Sequence, residues 1–408
     1  MENKRAIAVI DLGTSNIKCA IFSLNNDGLL QLLGSSKKKT KGIHNSIITN
    51  VQEATASINS CLVEVEKKSK ISLDKINVLI DPVETITTRL TKSKKINGSK
   101  IEKNDSSFLL KEAKKQVEQN NSSLANIHIF NYKYSVDNKF FKDFPKNIYA
   151  DQFSQENVFI SVSKNILKNI SEVFNSCDIK IDKFISCSYA LGICSFNQEQ
   201  INYGCGIIDM GYEKTSLAVF KDSSLIHVFS FPIGSNHITK DISRGCYLSE
   251  IESELIKKDI SIISDFDEQI QGDEFLSDKY FSETKFRKIS LKFIKDIVSA
   301  RLDEILNKAF KEIKFLQAEN IMQHLTFTGE GSKLNDLRKV VNKKLRSQIS
   351  DSSPGSFEDS ESIDREFLAC YGAAKILTEG FSSEAIAMPI SEQKQKSGFF
   401  ERIFNIFN

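Results

Sequence analysis

The chain has 408 residues, enough for roughly two to four domains of ~100–200 residues each. With 55 Lys and Arg against 53 Asp and Glu, and 40% hydrophobic residues, it has the composition of an ordinary globular protein. This balance disfavours a dedicated nucleic-acid binder, and only five prolines and 18 glycines disfavour a collagen-like or largely disordered chain.

The sequence shows no sign of export. No signal peptide precedes Asp11, and no run reaches the ~18 apolar residues of a membrane span. The eight cysteines have neither zinc-like spacing nor a disulfide-like framework, so we expect buried thiols in a reducing cytoplasm.

The first motif is IAVIDLGTSNIKCAIF, residues 7 to 22. It predicts a strand, a tight Asp-x-Gly turn at Asp11 and Gly13, and a returning strand. A carboxylate at a strand end can hold a metal-bound water, and the hydroxyls of Thr14 and Ser15 can face phosphate oxygens. Taken alone, the turn would be interpreted as simple hairpin punctuation.

An insertion follows, beginning near residues 81–82. Residues 88–101 alternate like edge strands around Asn97-Gly98, a dipeptide typical of a tight turn. Residues 108–119 have helical spacing after Asp105 and Ser106 as possible caps, and residues 126–137 return to strand alternation. We expect a small strand, helix and strand module whose lysine-rich face is either an interaction site or a solvated edge.

The second motif, CGIIDMGYEKTSLAVF at residues 205 to 220, aligns with the first without a gap. Asp209 falls on Asp11 and Gly211 on Gly13, but only Thr215 supplies a hydroxyl, after Tyr212-Glu213-Lys214. Because the pattern repeats, we interpret both turns as functional.

The third motif, residues 324 to 345, predicts a strand, a Gly-x-Gly turn at Gly329 and Gly331, and a helix beginning near Ser332. Such a turn suits packing against a nucleotide base or phosphate, although a simple turn is the alternative.

The chain ends in FFERIFNIFN, residues 399 to 408, after polar segments at 347–366 and 382–398. On a helix, its apolar side chains share one face: Phe399, Phe400, Ile403, Phe404, Ile406 and Phe407. Ten residues reach only ~15 Å, so the helix cannot span a membrane but can lie in its interface. The alternative is a helix docked on the protein's own surface.

In this order, the three motifs resemble those of the actin, Hsp70 and sugar-kinase superfamily, and within it the chain is similar to the FtsA family of bacterial cell-division proteins. Segments 41–66, 229–245, 294–313 and 366–377 extend the resemblance over nearly the whole chain. It implies an α/β, actin-like fold with two ribonuclease-H-like subdomains around a nucleotide cleft, inserted small α+β subdomains and a C-terminal amphipathic helix.

The resemblance implies six parts: subdomain 1A at 1–81, completed by about 158–199 and 363–381; inserted subdomain 1C at 82–157; subdomain 2A at 200–232 and 296–362; subdomain 2B at 233–295; a linker at 382–398; and a membrane-targeting helix at 399–408.

The resemblance also implies ATP and magnesium as cofactors. Asp11 and Asp209 would hold the metal through water, and Asp209 is the one candidate for a catalytic role. The nucleotide-binding set would be Asp11, Gly13, Thr14, Ser15, Asp209, Gly211, Thr215, Glu254, Lys257, Gly329 and Gly331. The family's second loop is glycine-rich, whereas this chain has Tyr212-Glu213-Lys214, so we expect weak or absent ATP hydrolysis.

By the same resemblance, we expect an actin-like polymer protein that tethers the FtsZ ring to the cytoplasmic face of the inner membrane at midcell, as a peripheral protein. Its partners would be the FtsZ C-terminal peptide, its own copies in a filament, other divisome proteins and lipid, with no nucleic acid. The alternatives are an ATP-dependent small-molecule kinase and an assembly protein like the pilus protein PilM.

Overall fold

The structure is a computed structural model that describes residues 6–25, 27–260, 274–316, 324–346 and 364–385. The predicted amphipathic helix with its six membrane-facing residues lies outside the described residues, as do nearly all of the two polar segments before it. The described parts separate into two units. The first contains 6–206, 218–230 and 364–385, and the second contains 207–217, 231–260, 274–316 and 324–346.

Fifteen strands lie in the described residues: β1 Ile7–Leu12, β2 Asn16–Leu24, β3 Leu30–Lys39, β4 Ile43–His44, β5 Ile47–Ile48, β6 Lys75–Ile80, β7 Ile86–Lys100, β8 Leu124–Val136, β9 Lys139–Phe141, β10 Tyr149–Ser163, β11 Lys180–Ser186, β12 Cys205–Met210, β13 Thr215–Lys221, β14 Ser224–Phe231 and β15 Leu325–Thr328.

Ten α-helices lie in the same part of the chain: α1 Val51–Ser69, α2 Lys103–Asn120, α3 Lys164–Asn175, α4 Cys187–Ser195, α5 Gln198–Tyr203, α6 Ser235–Cys246, α7 Glu250–Asp259, α8 Leu291–Phe315, α9 Leu337–Arg346 and α10 Leu368–Glu379.

The two sequence repeats form the same sheet pattern. The first sheet has the order β11-β6-β1-β2-β3, in which β1 pairs antiparallel with β2 and parallel with β6. The sheet of the second repeat has the order β14-β13-β12-β15. In both, the strand that ends at the Asp-x-Gly turn is flanked by the returning strand and by a later strand. This is the ribonuclease-H-like arrangement that the resemblance implies.

The insertion is a four-stranded antiparallel sheet in the order β7-β10-β8-β9, covered by α2. The prediction of a tight turn at Asn97-Gly98 is wrong. Both residues have the left-handed backbone that favours such turns, with φ of 52° and 74°, but they lie in a bulge within β7, which pairs with β10 on both sides of it. β7 is an edge strand, as its lysines indicate.

Two helix boundaries also differ from those predicted. Helix α2 begins at Lys103 after Glu102, whose side chain and that of Asp105 form a reciprocal capping box. After the Gly-x-Gly turn, residues 330–333 form a single 3-10 turn, and α9 begins only at Leu337 because Asp336 has a left-handed φ of 62°. The apolar spacing therefore identified the α9 helix but not its start.

All eight cysteines are free thiols, buried or half-buried, as expected. Among the described helices, none is both long enough and apolar enough to cross a membrane.

Candidate nucleotide site

The first Asp-x-Gly turn contains residues 13–16, between Leu12 and Ile17, which pair across the hairpin. A Cβ atom built on Gly13 would lie 2.5 Å from the carbonyl oxygen of Asn16, so any other residue would force the turn open. Gly13 does not need a positive φ. A glycine is required at this position because the backbone of residue 13 lies so close to that of Asn16. Thr14 and Ser15 are half-buried at the tip of the turn.

Asp11 lies next to a cation that the sequence reasoning missed. In the antiparallel register Asp11 is directly opposite Lys18, and the Lys18 Nζ lies 3.7 Å from the Asp11 carboxylate. Both side chains are largely buried, at 15% and 21% exposure. The signal was available in the sequence, because the residues that flank a four-residue turn pair at a separation of five positions, and the next pair outward, here Asp11 and Lys18, is separated by seven.

The second turn, residues 211–214, repeats the geometry of the first. The N–H of Gly211 donates to the carbonyl of Lys214 at 2.9 Å, and a Cβ on Gly211 would lie 2.9 Å from that oxygen. The Thr215 hydroxyl is buried and donates to the carbonyl of Ile233 at 2.7 Å. Thr215 therefore stabilises the base of the turn from inside the protein, while Tyr212-Glu213-Lys214 form the tip.

Each turn is held by the segment that follows the third strand of its own sheet. After β3, Thr40 donates its hydroxyl to the carbonyl of Gly13 at 2.6 Å and its N–H to that of Ser15 at 3.2 Å. After β14, the first N–H groups of α6 donate to carbonyls of the second turn in the same way. Ser235 donates to the carbonyl of Gly211 at 2.9 Å and Asn236 to that of Tyr212 at 2.8 Å.

The second hairpin also has a lysine near the position that Lys18 occupies in the first, but this lysine comes from the turn. The position equivalent to Lys18 is Ser216, which is buried. The ammonium group of Lys214 lies 3.3 Å from the Ser216 hydroxyl. The second hairpin therefore has a cation close to the Lys18-equivalent position, supplied from the turn rather than from the returning strand.

The Gly-x-Gly turn packs directly on the strand that carries Asp209. Gly329 has φ of 84°, and a Cβ there would lie 2.5 Å from both the Asp209 Oδ1 and the Met210 carbonyl. A Cβ on Gly331 would lie 2.4 Å from the side chain of Met210. These glycines are therefore required by packing within the second unit, where Gly329 lies against Asp209 and Gly331 against Met210.

Glu254 and Lys257, on α7, form a hydrogen-bonded pair in the same unit. The Lys257 Nζ lies 2.6 Å from the Glu254 carboxylate, which also accepts from the Thr239 hydroxyl at 2.6 Å. Burial lowers the pKa of Lys257 against the opposing pull of Glu254. Burial alone would raise the pKa of Glu254, but the hydrogen bonds from Lys257 and Thr239 lower it. The hydrogen bonds within this group offset part of the cost of burying Lys257 and Glu254.

The second turn is electrically coupled to this pair. Burial raises the pKa of Tyr212, and the negative charges of Glu254, Glu250 and Glu213 raise it further. Beside the turn, two buried side-chain oxygens of α6, Ser235 Oγ and Asn236 Oδ1, have no hydrogen-bond partner in the described part of the chain. Such orphaned acceptors are unusual without a ligand or water.

Within each unit, the groups at the turn suit part of a magnesium nucleotide. Hydroxyls, lysines and turn backbone suit phosphate oxygens, and one or two carboxylates are what Mg²⁺ takes from a protein when phosphates supply further ligands. The described residues contain no cluster of three or more His, Cys, Asp or Glu side chains that would hold a metal without such phosphates. Of the predicted residues, the first unit holds Asp11, Gly13, Thr14 and Ser15, and the second holds the remaining seven.

Comparison with known proteins gives one family match. The model described as "Cell division protein FtsA" matches residues 206–372. Curated relatives carry the same description. That of Agrobacterium fabrum is 21% identical over 86% of this chain and 82% of its own, and that of Bacillus subtilis is 22% identical over 87% and 80%. That of Buchnera aphidicola is 20% identical over 100% of this chain and 97% of its own.

Solved structures show the same fold at low identity. The PilM-PilN type IV pilus biogenesis complex has a chain with a TM-score of 0.60 at 13% identity, covering 93% of this chain and 98% of that one. The MreB 5 protein of Spiroplasma citri bound to AMPPNP has a TM-score of 0.53 at 13% identity, covering 92% and 96%. A structure of MreB5 bound to ADP has a TM-score of 0.51 and covers 91% and 96%.

Proposed function

We propose, from the premise that the chain is a relative of the FtsA cell-division proteins with an actin-like fold, that it binds ATP, polymerises and ties the FtsZ ring to the membrane. The predicted resemblance and the predicted α/β, actin-like fold are confirmed by the similarities above, which do not test the predicted C-terminal helix. ATP, polymerisation, FtsZ and the membrane are the proposal.

One observation carries the nucleotide part of the proposal. Two turns 198 positions apart in the chain have the same glycine contact, the same preceding aspartate and a lysine near the same strand position. Hairpin punctuation alone does not require an aspartate or a lysine in either copy. A polyphosphate with magnesium does, since its oxygens take cations and its metal takes carboxylates. The solved relatives with AMPPNP and ADP support this assignment.

We propose weak hydrolysis for the same site. A glycine-rich loop would present successive N–H groups to the γ-phosphate. Here Glu213 adds a negative charge to the second turn, which disfavours a phosphate there, while Lys214 partly offsets it. We therefore propose that nucleotide binding depends mainly on the metal and the first turn, with a smaller contribution from Lys214, and turnover at the ~1–1000 s⁻¹ of ordinary enzymes is not expected.

Calorimetry tests the nucleotide site. We expect Asp11→Asn and Asp209→Asn each to weaken Mg-ATP binding by at least roughly tenfold, because a carboxylate to metal or charge-assisted contact is lost. Asp27→Asn, at an exposed position after β2, is the matched control. Unchanged affinity in both site variants would remove the nucleotide assignment.

The proposed docking surface for the FtsZ peptide lies in the second unit. The residues Tyr247, Ile251 and Leu255 follow one another at a spacing of four and are 80%, 61% and 46% exposed. Phe286 is also exposed, at 58%, and Arg287 beside it is held by the carbonyls of Cys246 and Tyr247. An apolar stripe with a fixed guanidinium suits a short peptide with apolar and acidic side chains.

Three lysines near this stripe, which could attract an acidic peptide, already contact carboxylates of the same unit. Lys257 is buried on Glu254, Lys258 lies 3.3 Å from the same carboxylate, and Lys279 lies 3.7 Å from Asp259. We therefore propose that the apolar stripe carries most of the affinity. Ile251→Glu should abolish binding of an FtsZ C-terminal peptide in fluorescence anisotropy. Val63→Glu, at a similarly exposed helical position in the first unit, should leave it unchanged.

The membrane part of the proposal rests on the sequence of residues 399–408. Six large apolar side chains on one face, with few basic residues, should bind lipid through apolar area and depend weakly on salt. In liposome sedimentation we expect Phe404→Asp and Phe407→Asp to lose binding to neutral and anionic vesicles alike. Equal pelleting of wild type and both variants would favour a helix docked on the protein itself.

The other assignments make different demands. A pilus-assembly protein would share the fold but not recognise an FtsZ peptide, and the curated relatives above are cell-division proteins. A small-molecule kinase would consume ATP rapidly in the presence of its substrate. Peptide binding and turnover therefore separate the three.

A further inference from the structure

The last described segment of the chain is fastened to the inserted sheet. After α10 the backbone turns at Gly380, which has φ of 71°, and residues 381–385 then run along β8. The N–H of Ala385 donates to the carbonyl of Ile129 at 2.6 Å, and the N–H of Asn131 donates to that of Ser383 at 2.7 Å. Between them, Phe130 and Glu384 form an isolated antiparallel bridge.

This short segment pairs with the part of the β8 edge that no other strand of the described sheet covers. The paired partners of β8 are β10 along most of its length and β9 only at residues 134–136. The segment also contributes apolar surface. Ala385 belongs to the core under α2, and the Phe381 ring packs edge-on against Phe130 at 6.2 Å and Tyr189 at 5.8 Å.

A carboxylate is buried at the centre of this contact. Glu384 is fully buried, with one oxygen 2.6 Å from His128 Nδ1 and the other accepting from the Tyr189 hydroxyl at 2.9 Å. The N–H of Ser186 donates to His128 Nε2 at 3.0 Å, so the ring proton resides on Nδ1 and the imidazole is neutral. Two neutral donors therefore hold the carboxylate.

The burial of the Glu384 carboxylate among neutral donors combines a favourable and an unfavourable contribution to stability. The hydrogen bonds fix the geometry, but the charge has lost its hydration without gaining an opposite charge. If the segment leaves β8, the carboxylate returns to water and recovers that hydration. The segment is short, and it begins after the end of α10, where the Gly380 N–H already donates to the carbonyl of Ile376 within the helix end.

We propose that residues 381–385 form a releasable latch, held on β8 by the bridge at Phe130 and by the Glu384 contact with His128 and Tyr189. The latch fixes the point on the inserted sheet from which the chain continues toward its C-terminus. The next consequence rests on the proposed function: while the latch is docked, the membrane tether begins at residue 386. Release adds five residues, up to ~17 Å of extended chain.

Hydrogen exchange on the full-length protein tests the latch directly, without membrane or nucleotide. We expect slowed exchange at the amides of Ala385 and Asn131. Glu384→Ala should lower their protection roughly a hundredfold, because two hydrogen bonds to a charged group are lost. Tyr189→Phe removes one of them and should cost roughly tenfold. Glu379→Ala, at the exposed end of α10, is the control and should change nothing.

Glu384→Gln separates the charge from the hydrogen bonds. Its amide can accept from His128 and donate to Tyr189, and it carries no charge, so protection should equal or exceed that of wild type. If the Glu384→Gln variant exchanged as fast as the Glu384→Ala variant, the charge of Glu384 would not be what makes the latch releasable. If the amides of Ala385 and Asn131 were unprotected in wild type, the latch itself would be overturned. Vesicle binding reports on the tail instead: protected amides without vesicle binding would remove the membrane tether and leave the latch.

Discussion

The two Asp-x-Gly hairpins have the same backbone but different support. Around the first turn, a threonine side chain and N–H hold the carbonyls of Gly13 and Ser15. Around the second, the N-terminal N–H groups of α6 hold those of Gly211 and Tyr212, and Gly234 lies so close that a Cβ there would be 2.6 Å from both oxygens. The first turn is held partly by a replaceable side chain, and the second is held by backbone.

The difference extends to the side chains that a ligand would meet. The tip of the first turn offers neutral hydroxyls and amide groups from Thr14 to Asn16, while that of the second offers an aromatic ring and a charge of each sign from Tyr212 to Lys214. A repeated fold element can therefore retain its geometry while its chemistry diverges, because the backbone contact depends only on the leading glycine.

The largest effect is expected where the second turn meets α6. Gly234→Ala should destabilise the protein by ~1–3 kcal/mol, because the new Cβ overlaps backbone atoms that cannot move separately. Urea denaturation measures it. Gly28→Ala, at φ of 79° but in open space, isolates backbone strain and should cost ~1 kcal/mol. A smaller loss at Gly234 than at Gly28 would mean that the backbone support is loose.

The two lysines test whether the hairpins are equivalent toward nucleotide. Lys18→Met should weaken ATP binding roughly tenfold, and Lys214→Met by less, each through loss of a charged contact to phosphate. Lys41→Met, at an exposed position after β3, controls for the change in net charge. An effect at Lys18 alone would show that the second hairpin has lost its phosphate role and is structural.

A smaller difference should separate the two modes of support. Thr40→Val removes the hydroxyl that donates to the Gly13 carbonyl and should cost ~1 kcal/mol in the free energy of unfolding. Ser235→Ala keeps the N–H that supports the second turn and removes an unpaired hydroxyl, so it should be close to neutral. Equal costs at the two positions would contradict the contrast between side-chain and backbone support.

The smallest effect concerns one carboxylate from each unit, both with a pKa of about 2. For Glu64, hydrogen bonds from Lys38 and then Lys68 lower the pKa. For Glu252, burial would raise it, but N–H donors from Glu283, Ser249 and Thr284 lower it. Because both pKa values lie below the usual 4.5, both stabilising contributions are complete above pH 4.5 and are lost as the pH falls toward 2.

Salt should distinguish these two carboxylates. Exposed ion pairs are screened, whereas fixed N–H donors are not. In an NMR titration in ~0.5 M salt, where the Debye length is only a few Å, the pKa of Glu64 should rise toward 4.5 while that of Glu252 stays near 2. A parallel rise in both would show that surface charge, rather than the backbone donors, holds Glu252 ionised.

Much of the fold and part of the site were predictable from local pattern. Strand alternation around Asp11 and Asp209 gave both hairpins, and helical spacing gave α2 and α9. Asn97-Gly98 was misinterpreted because its left-handed preference is the same in a turn and in a bulge, and only the pairing of β7 with β10 distinguishes them. Lys214 was seen only as a departure from glycine, since its contact with Ser216 depends on the path of its side chain.

The sequence by itself determined the two repeated hairpins, their order with the Gly-x-Gly turn, and the identity of the glycines, because each depends on backbone conformation within a few residues. Only the tertiary structure decided why those glycines are needed, as Gly329 packs on Asp209 from 120 positions away in the chain. The same holds for the burial of Glu384 between His128 and Tyr189. Contacts between distant segments depend on how sheets and helices pack, and no local periodicity records them.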